Sequence, residues 1–254
     1  MLEIFFVFIV GSVVGSFLNV CIYRLPEKVS IAFPASYCPN CRHAIPKWSN
    51  IPFLGFLLLK GKCKHCSAKI SWQYPAVELL AAVLTVITYW YHGFSALFAA
   101  YIILIYFLIV IAFIDWKTQL IYDKVLIVLF LCGLTLQLIY PFIAWESAML
   151  GIVVGGLSMF AIALLGKAMF KKDSLGMGDV KLAAVVGFFV GWQTILIALY
   201  FGFLLAFVTI ILTKRFGYSK LTGYIPLGPF LAGGIVIFLF WGKQLLQLYL
   251  SLVT

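Results

Sequence analysis

Residues 95–115 read SALFAAYIILIYFLIVIAFID, nineteen apolar side chains in unbroken succession between Ser95 and Asp115. A run of that length is what a helix needs to cross roughly 30 Å of hydrocarbon. No soluble core has room for many such runs, and this chain has several. Further apolar stretches lie at about 2–22, 76–91, 124–140, 147–166, 180–213 and 226–250, separated by Pro, Gly and charged residues. All are expected to be helices, because a backbone in lipid must satisfy its own hydrogen bonds.

Composition agrees. Hydrophobic residues make up 65% of the 254, charged residues only 10%, and the mean hydropathy is +1.13. The chain reads as an all-α polytopic membrane protein. Its first span has neither a basic leading segment nor a small-residue cleavage site and is expected to remain as an anchor. The stretch 180–213 is too long for one crossing, at about 1.5 Å per residue, and is expected to divide at Gly191-Trp192-Gln193-Thr194. The count is then about eight transmembrane helices.

The net charge of +10 reports orientation rather than a nucleic-acid partner. Between Tyr23 and Pro75 stand Arg24, Lys28, Arg42, Lys47, Lys60, Lys62, Lys64 and Lys69 against the single acid Glu27. By the positive-inside rule this loop is cytoplasmic and the N-terminus outside. Lys167, Lys171 and Lys172 before the divided stretch, and Lys214, Arg215 and Lys220 after it, obey the same rule. The expected organisation is a first span at 1–22, a cytoplasmic loop at 23–75 and a membrane domain at 76–254. Small residues at Gly11, Gly15 and Ser16, and at Gly151, Gly155 and Gly156, are expected to let helices pack closely.

Within the loop stand Cys38-Pro39-Asn40-Cys41 and Cys63-Lys64-His65-Cys66, with 21 residues between them. A two-residue separation lets both thiolates of a knuckle face one ion, and two knuckles complete a tetrahedral set for structural zinc, a zinc-ribbon-like arrangement. Disulfides would not persist on the cytoplasmic side. His43 and His65 are expected to flank the cluster, and Cys21 and Cys132 to act as small apolar residues.

Only 8 acids occur in the chain, and a carboxylate at mid-bilayer costs roughly 2.5–3.5 kcal/mol. Asp115 and Asp179 nevertheless each border an apolar stretch, the second within Gly176-Met177-Gly178-Asp179. Two carboxylates brought close together cannot both ionise cheaply, so one keeps a proton. An aspartyl protease works in this state: the ionised partner takes a proton from water and the protonated one polarises the scissile carbonyl. Gly176 and Gly178 would let an extended substrate strand approach the backbone. Simpler readings stand beside these. Asp179 reads equally as the N-cap of the next helix, Asp115 as a snorkelled charge paired with Lys117, and Asp123 as the N-cap of the following span. Glu78 reads either as the partner of a basic residue or as a site residue.

The chain resembles, along essentially its whole length, the bacterial type IV prepilin leader peptidases. The resemblance rests on Gly15-Ser16-Phe17-Leu18-Asn19-Val20 with Tyr23-Arg24-Leu25-Pro26, the cysteine knuckles, Tyr74-Pro75 through Glu78-Leu79, Asp115, Gly176 through Lys181, and Ile225-Pro226-Leu227-Gly228-Pro229-Phe230. It implies that Asp115 and Asp179 are the catalytic pair. It also implies cleavage of a basic prepilin or pseudopilin leader after Gly at the cytoplasmic membrane face. Methylation of the new N-terminus by S-adenosylmethionine would follow. No Gly-rich nucleotide loop is visible from which to name residues for that methyl donor. The family usually has Ile-Pro-Asp after its first aspartate, where this chain has Ile121-Tyr122-Asp123. A Tyr-Asp pair is similar to the first motif of presenilin-type proteases, which sets Asp123 beside Asp115 as a candidate. Rival readings are a peptidase without methylation, a non-catalytic scaffold, and a proton-coupled transporter. The transporter would place its acids near mid-bilayer on facing spans.

Overall fold

A computed structural model describes residues 1–46, 51–171, 175–215 and 226–253. Lys47, Lys172, Asp173, Lys220 and Ile225 lie outside the described residues, as does the side chain of Lys243. The helices are α1 (Leu2–Arg24), α2 (Leu54–Leu58), α3 (Gln73–His92), α4 (Ala96–Thr118), α5 (Asp123–Ile139), α6 (Trp145–Phe170), α7 (Met177–Val190), α8 (Trp192–Arg215) and α9 (Gly228–Val253). Among the described residues there is no strand, only the isolated bridges Tyr37 to Ala44 and Lys62 to Lys69.

Eight of these helices coincide with the eight expected spans, so the protein is an all-helical, multi-pass membrane protein. Five of them, α1, α3, α4, α6 and α8, have both the length and the hydropathy to cross a bilayer unaided. The long stretch divides where expected. Gly191 takes φ +80° and ψ 167°, a conformation that closes to residues with a Cβ, and the chain turns from α7 into α8 there. The ninth helix, α2, was not expected, since five residues leave no periodic signature.

The chain forms two compact units, Met1–Gly93 and Phe94–Thr254. In the first, α1 packs on α3 through its small residues. A Cβ on Gly11 would lie 2.8 Å from Ala82 Cα, and one on Gly15 would lie 2.7 Å from Glu78 Cα. Asn19 ties the same pair together, donating to the carbonyls of Tyr74 (3.1 Å) and Gly15 (3.4 Å). Arg24 is buried at the end of α1, and its guanidinium donates to the carbonyls of Ser30 (2.8 Å) and Pro34 (2.7 Å). One side chain thus folds the start of the loop back onto the helix.

In the second unit α6 and α7 meet backbone to backbone. Gly151 abuts the Gly187 carbonyl, Gly155 abuts that of Ala183, and any Cβ at either glycine would collide with main chain. On the other side of α7, Gly133 of α5 accommodates the ring of Phe189. The α8 and α9 pair meets in the same way at Gly202 and Gly234. Small residues therefore do the packing work expected of them, because close approach supplies the dispersion contacts that hold helices together in lipid.

Candidate active site and candidate metal centre

Asp115 sits in the last turn of α4, 5% exposed. Its Oδ2 accepts the backbone N–H of Gly228, the first residue of α9, at 2.9 Å. A helix N-terminus carries unpaired N–H groups and partial positive charge, both suited to a carboxylate. The position requires glycine, since a Cβ there would lie 2.7 Å from Asp115 Oδ2. Asp115 therefore does not snorkel; its carboxylate is turned inward and bonded to main chain.

Asp179 is the third residue of α7, whose N-cap is Gly176. The expectation that Asp179 caps this helix is corrected: the helix begins earlier, at Met177, and the aspartate lies inside its first turn. Its backbone N–H donates to the Gly176 carbonyl (3.1 Å). Gly176 carries no side chain where Oδ2 passes, 3.3 Å from the position of a Cβ. The other oxygen, Oδ1, is buried with no hydrogen-bond partner among the described residues. The charge of Asp115 acts directly on Asp179. Two acids 64 positions apart in sequence thus come near each other, Asp115 at the end of α4 and bonded to the Gly228 N–H, Asp179 in the first turn of α7.

Gly178 faces Ile121, whose Cβ is 2.8 Å from where a Gly178 Cβ would be. The space left by this glycine is filled by the connection between α4 and α5. Asp123 follows in that connection and is exposed, both its oxygens 2.8 Å from Lys181 Nζ. It is not the N-cap of α5; that position is Tyr122, and Asp123 is the first helical residue, its carboxylate drawn to the lysine. Glu78 pairs with no basic residue among the described residues. Its Oε2 accepts the backbone N–H of Phe53 at 3.0 Å. Gly228 and Ile121 carried no role in the sequence reading, although the flanking prolines of Pro226-Leu227-Gly228-Pro229 already marked a constrained turn.

In the first unit the sulfurs of Cys38, Cys41, Cys63 and Cys66 all lie within 4.8 Å of one another. The Cys38–Cys66 and Cys41–Cys63 separations are 3.8 and 4.0 Å. Bonds of about 2.3 Å to a tetrahedral ion imply sulfurs about 3.8 Å apart. The knuckles are built alike. The Arg42 N–H donates to the Cys38 carbonyl and the Ser67 N–H to that of Cys63, and Arg42 and Ser67 share a positive φ, 56° and 57°. The His43 and His65 rings lie against each other, centroids 3.4 Å apart.

Main-chain donors tune the sulfurs. The N–H groups of Cys66 and His65 hold the Cys63 thiol below its ordinary range, and the Ala68 N–H, then the Asn40 amide, bring Cys66 down to about 6. Although the His43 N–H acts the other way, partial desolvation and the Cys66, Cys38 and Cys63 thiols push Cys41 up to about 11. Four sulfurs this close are all anionic only when a cation lies among them. The donor set fits a metal ion.

The fold and these two clusters define a class: a multi-pass membrane protein with a four-cysteine metal-type cluster in one unit and a pair of interacting carboxylates in the other. Two family models divide the chain in the same way. The bacterial peptidase A24 N-terminal domain matches residues 9–92, and the type IV leader peptidase family matches residues 102–213. A protein of Stutzerimonas stutzeri named prepilin leader peptidase/N-methyltransferase is 35% identical over 266 residues, covering 96% of this chain and 92% of its own length. Relatives of the same name are 32% identical in Pseudomonas aeruginosa, over 96% of this chain and 92% of theirs, and 37% identical in Klebsiella pneumoniae, over 75% and 86%. No solved structure gives a significant match. The chain belongs to the type IV leader peptidase family.

Proposed function

We propose that this protein is a membrane aspartyl endopeptidase that removes the basic leader of type IV prepilins or pseudopilins, and that Asp115 and Asp179 are its catalytic pair. The observation that carries the reading is that Asp115, buried and bonded to the Gly228 N–H at the start of α9, lies near enough for its charge to reach Asp179, whose Oδ1 is buried without a partner among the described residues. Like charges so placed share a proton. The ionised member takes a proton from the attacking water, and the protonated member donates to the carbonyl oxygen of the scissile bond. Asp123, exposed and bonded through both oxygens to Lys181, takes no part in this proton exchange. Gly176 and Gly178 serve the substrate by keeping Asp179 and the α4 to α5 connection close to the main chain along which the leader would lie.

Location follows from charge. Basic residues occupy the last turns of α1, α4, α6 and α8, which puts those ends on the cytoplasmic side of the bacterial inner membrane. Asp115 lies in one of them. A prepilin presents its leader at that face, just before its own apolar helix.

The relatives are named N-methyltransferases as well as leader peptidases, which supports extending the reading to N-methylation; the new N-terminus as its target and S-adenosylmethionine as the methyl donor are what the family resemblance implies. The four cysteines would hold structural zinc, which supplies the cross-link that a loop with little core of its own needs in order to fold. Incubating the purified protein with a prepilin and following the product by mass tests both activities. Loss of the leader, and a further gain of one methyl group when S-adenosylmethionine is added, are expected. An uncut prepilin would overturn the peptidase reading, and a cut but unmethylated product would remove methylation.

A further inference from the structure

Residues 51–59 read IPFLGFLLL, without a polar side chain, in the middle of a segment otherwise rich in lysine. Both ends of this stretch lead to one place. The chain enters it after the Cys38–Cys41 knuckle and leaves it into the Cys63–Cys66 knuckle, and the four sulfurs form a single cluster. Whatever path residues 51–59 take, they return to the side from which they came.

The path leads down along the first unit's spans. The backbone N–H of Phe53 donates to Glu78 Oε2 within α3 (3.0 Å), and the Phe53 ring stacks on Phe8 of α1, centroids 6.2 Å apart. Glu78 lies five residues past Gln73 in α3 and abuts Gly15, nine residues from Arg24 at the end of α1, about 14 Å at 1.5 Å per residue. That depth is well inside a hydrocarbon core of about 30 Å. Helix α2 follows, and the chain turns back at Gly61, whose N–H donates to the Phe56 carbonyl (2.9 Å). Phe56 packs on Trp72 beside the start of α3, at 4.9 Å. Lys60 and Lys62 come next, exposed charges that belong in water outside the hydrocarbon.

The outer face of this hairpin is apolar and uncovered. Leu54, Leu57 and Leu58 are 54%, 65% and 68% exposed, whereas Gly55 is buried. In water these leucines would be a liability; in hydrocarbon they are where they should be. Non-helical backbone at such depth persists only where its polar groups are satisfied by protein. Glu78 meets that need for Phe53, which gives this costly buried acid a use.

We propose that residues 51–59 form a re-entrant segment inserted into the bilayer, with lipid acyl chains as the partner of the Leu54, Leu57 and Leu58 face. The test places the photoreactive residue p-benzoylphenylalanine at Leu57, and separately at Leu58, in the full-length protein. The variants are reconstituted in nanodiscs of phosphatidylethanolamine and phosphatidylglycerol, and adducts are read by mass. Val13, an exposed α1 position, is the lipid-facing reference, and Lys62, exposed in the lysine-rich return, the solvated one. Lipid adducts at 57 and 58 matching those at 13, and absent at 62, are expected. Yields at 57 and 58 no higher than at 62, or cross-links from 57 and 58 to protein in place of lipid, would overturn the proposal.

Discussion

Gly228 donates its backbone N–H to Asp115 across 2.9 Å, although 113 residues separate the two in sequence. The first turn of α9 and the last turn of α4 thereby share one carboxylate, and nothing larger than hydrogen fits on the Cα that makes the bond.

Gly228→Ala is therefore expected to displace the Asp115 carboxylate without unfolding the bundle. Misplacement of a reacting group by about 1 Å costs on the order of 100-fold in rate, and a loss of that size in leader cleavage is expected. Gly233→Ala, on the same helix, meets only Leu205 Cδ1 at 3.3 Å and should stay close to wild type. Cleavage kinetics of the two variants side by side check this.

Asp115→Asn and Asp179→Asn should each remove leader cleavage, since loss of a general acid or base costs about 100- to 10,000-fold. Asp123→Asn should not. The pair it breaks with Lys181 is exposed on both sides, and such pairs contribute about 0.2–1 kcal/mol. A prepilin assay that found Asp123→Asn dead and Asp115→Asn active would reverse the assignment.

Gly151→Ala should destabilise the second unit by about 1–3 kcal/mol, the usual cost of overpacking, because its new methyl group meets the Gly187 carbonyl. Gly156→Ala, one turn further along α6, meets only the Ala184 methyl at 3.3 Å and should be milder. Thermal unfolding in detergent would rank them.

Removing the metal should loosen the loop of the first unit. Purified protein is expected to carry one zinc per chain, and Cys38→Ser or Cys66→Ser to lose it, since three thiolates bind far less firmly than four. Metal analysis measures the first effect. Protease sensitivity between Lys28 and Trp72, rising on chelation, measures the second.

Glu78→Ala should leave the Phe53 N–H without its acceptor at a cost of about 1–3 kcal/mol, while Glu78→Gln keeps an oxygen in place and should cost less. Unfolding of the two variants in bilayers or detergent distinguishes an acceptor from a charge.

Much of this molecule is legible in its sequence because lipid imposes so few solutions. Hydropathy located all eight long helices to within a few residues, and Gly191 marked the break between α7 and α8 through the one property only glycine has. The cysteine spacing located the cluster, because knuckle geometry is local. What was hidden is whatever joins distant parts. The bond between Gly228 and Asp115, the seat of Phe53 on Glu78, and the pairing of Asp123 with Lys181 depend on how helices pass one another, and packing across a bundle leaves no period in the chain. The caps misled for a related reason. Asp123 and Asp179 look like caps by residue type, but both lie inside their helices, whose N-caps are Tyr122 and Gly176, and Asp123 is drawn instead to Lys181.

Helix α7 has fourteen residues, about 21 Å of length against about 30 Å of hydrocarbon. Set across a bilayer with its start at one surface, it would fall about 9 Å short of the other. Hydrophobic mismatch of this kind is relieved by local thinning of the membrane, and the element concerned is the one that carries Asp179 in its first turn. Lipids of shorter acyl chain would therefore match this helix better than those of longer chain.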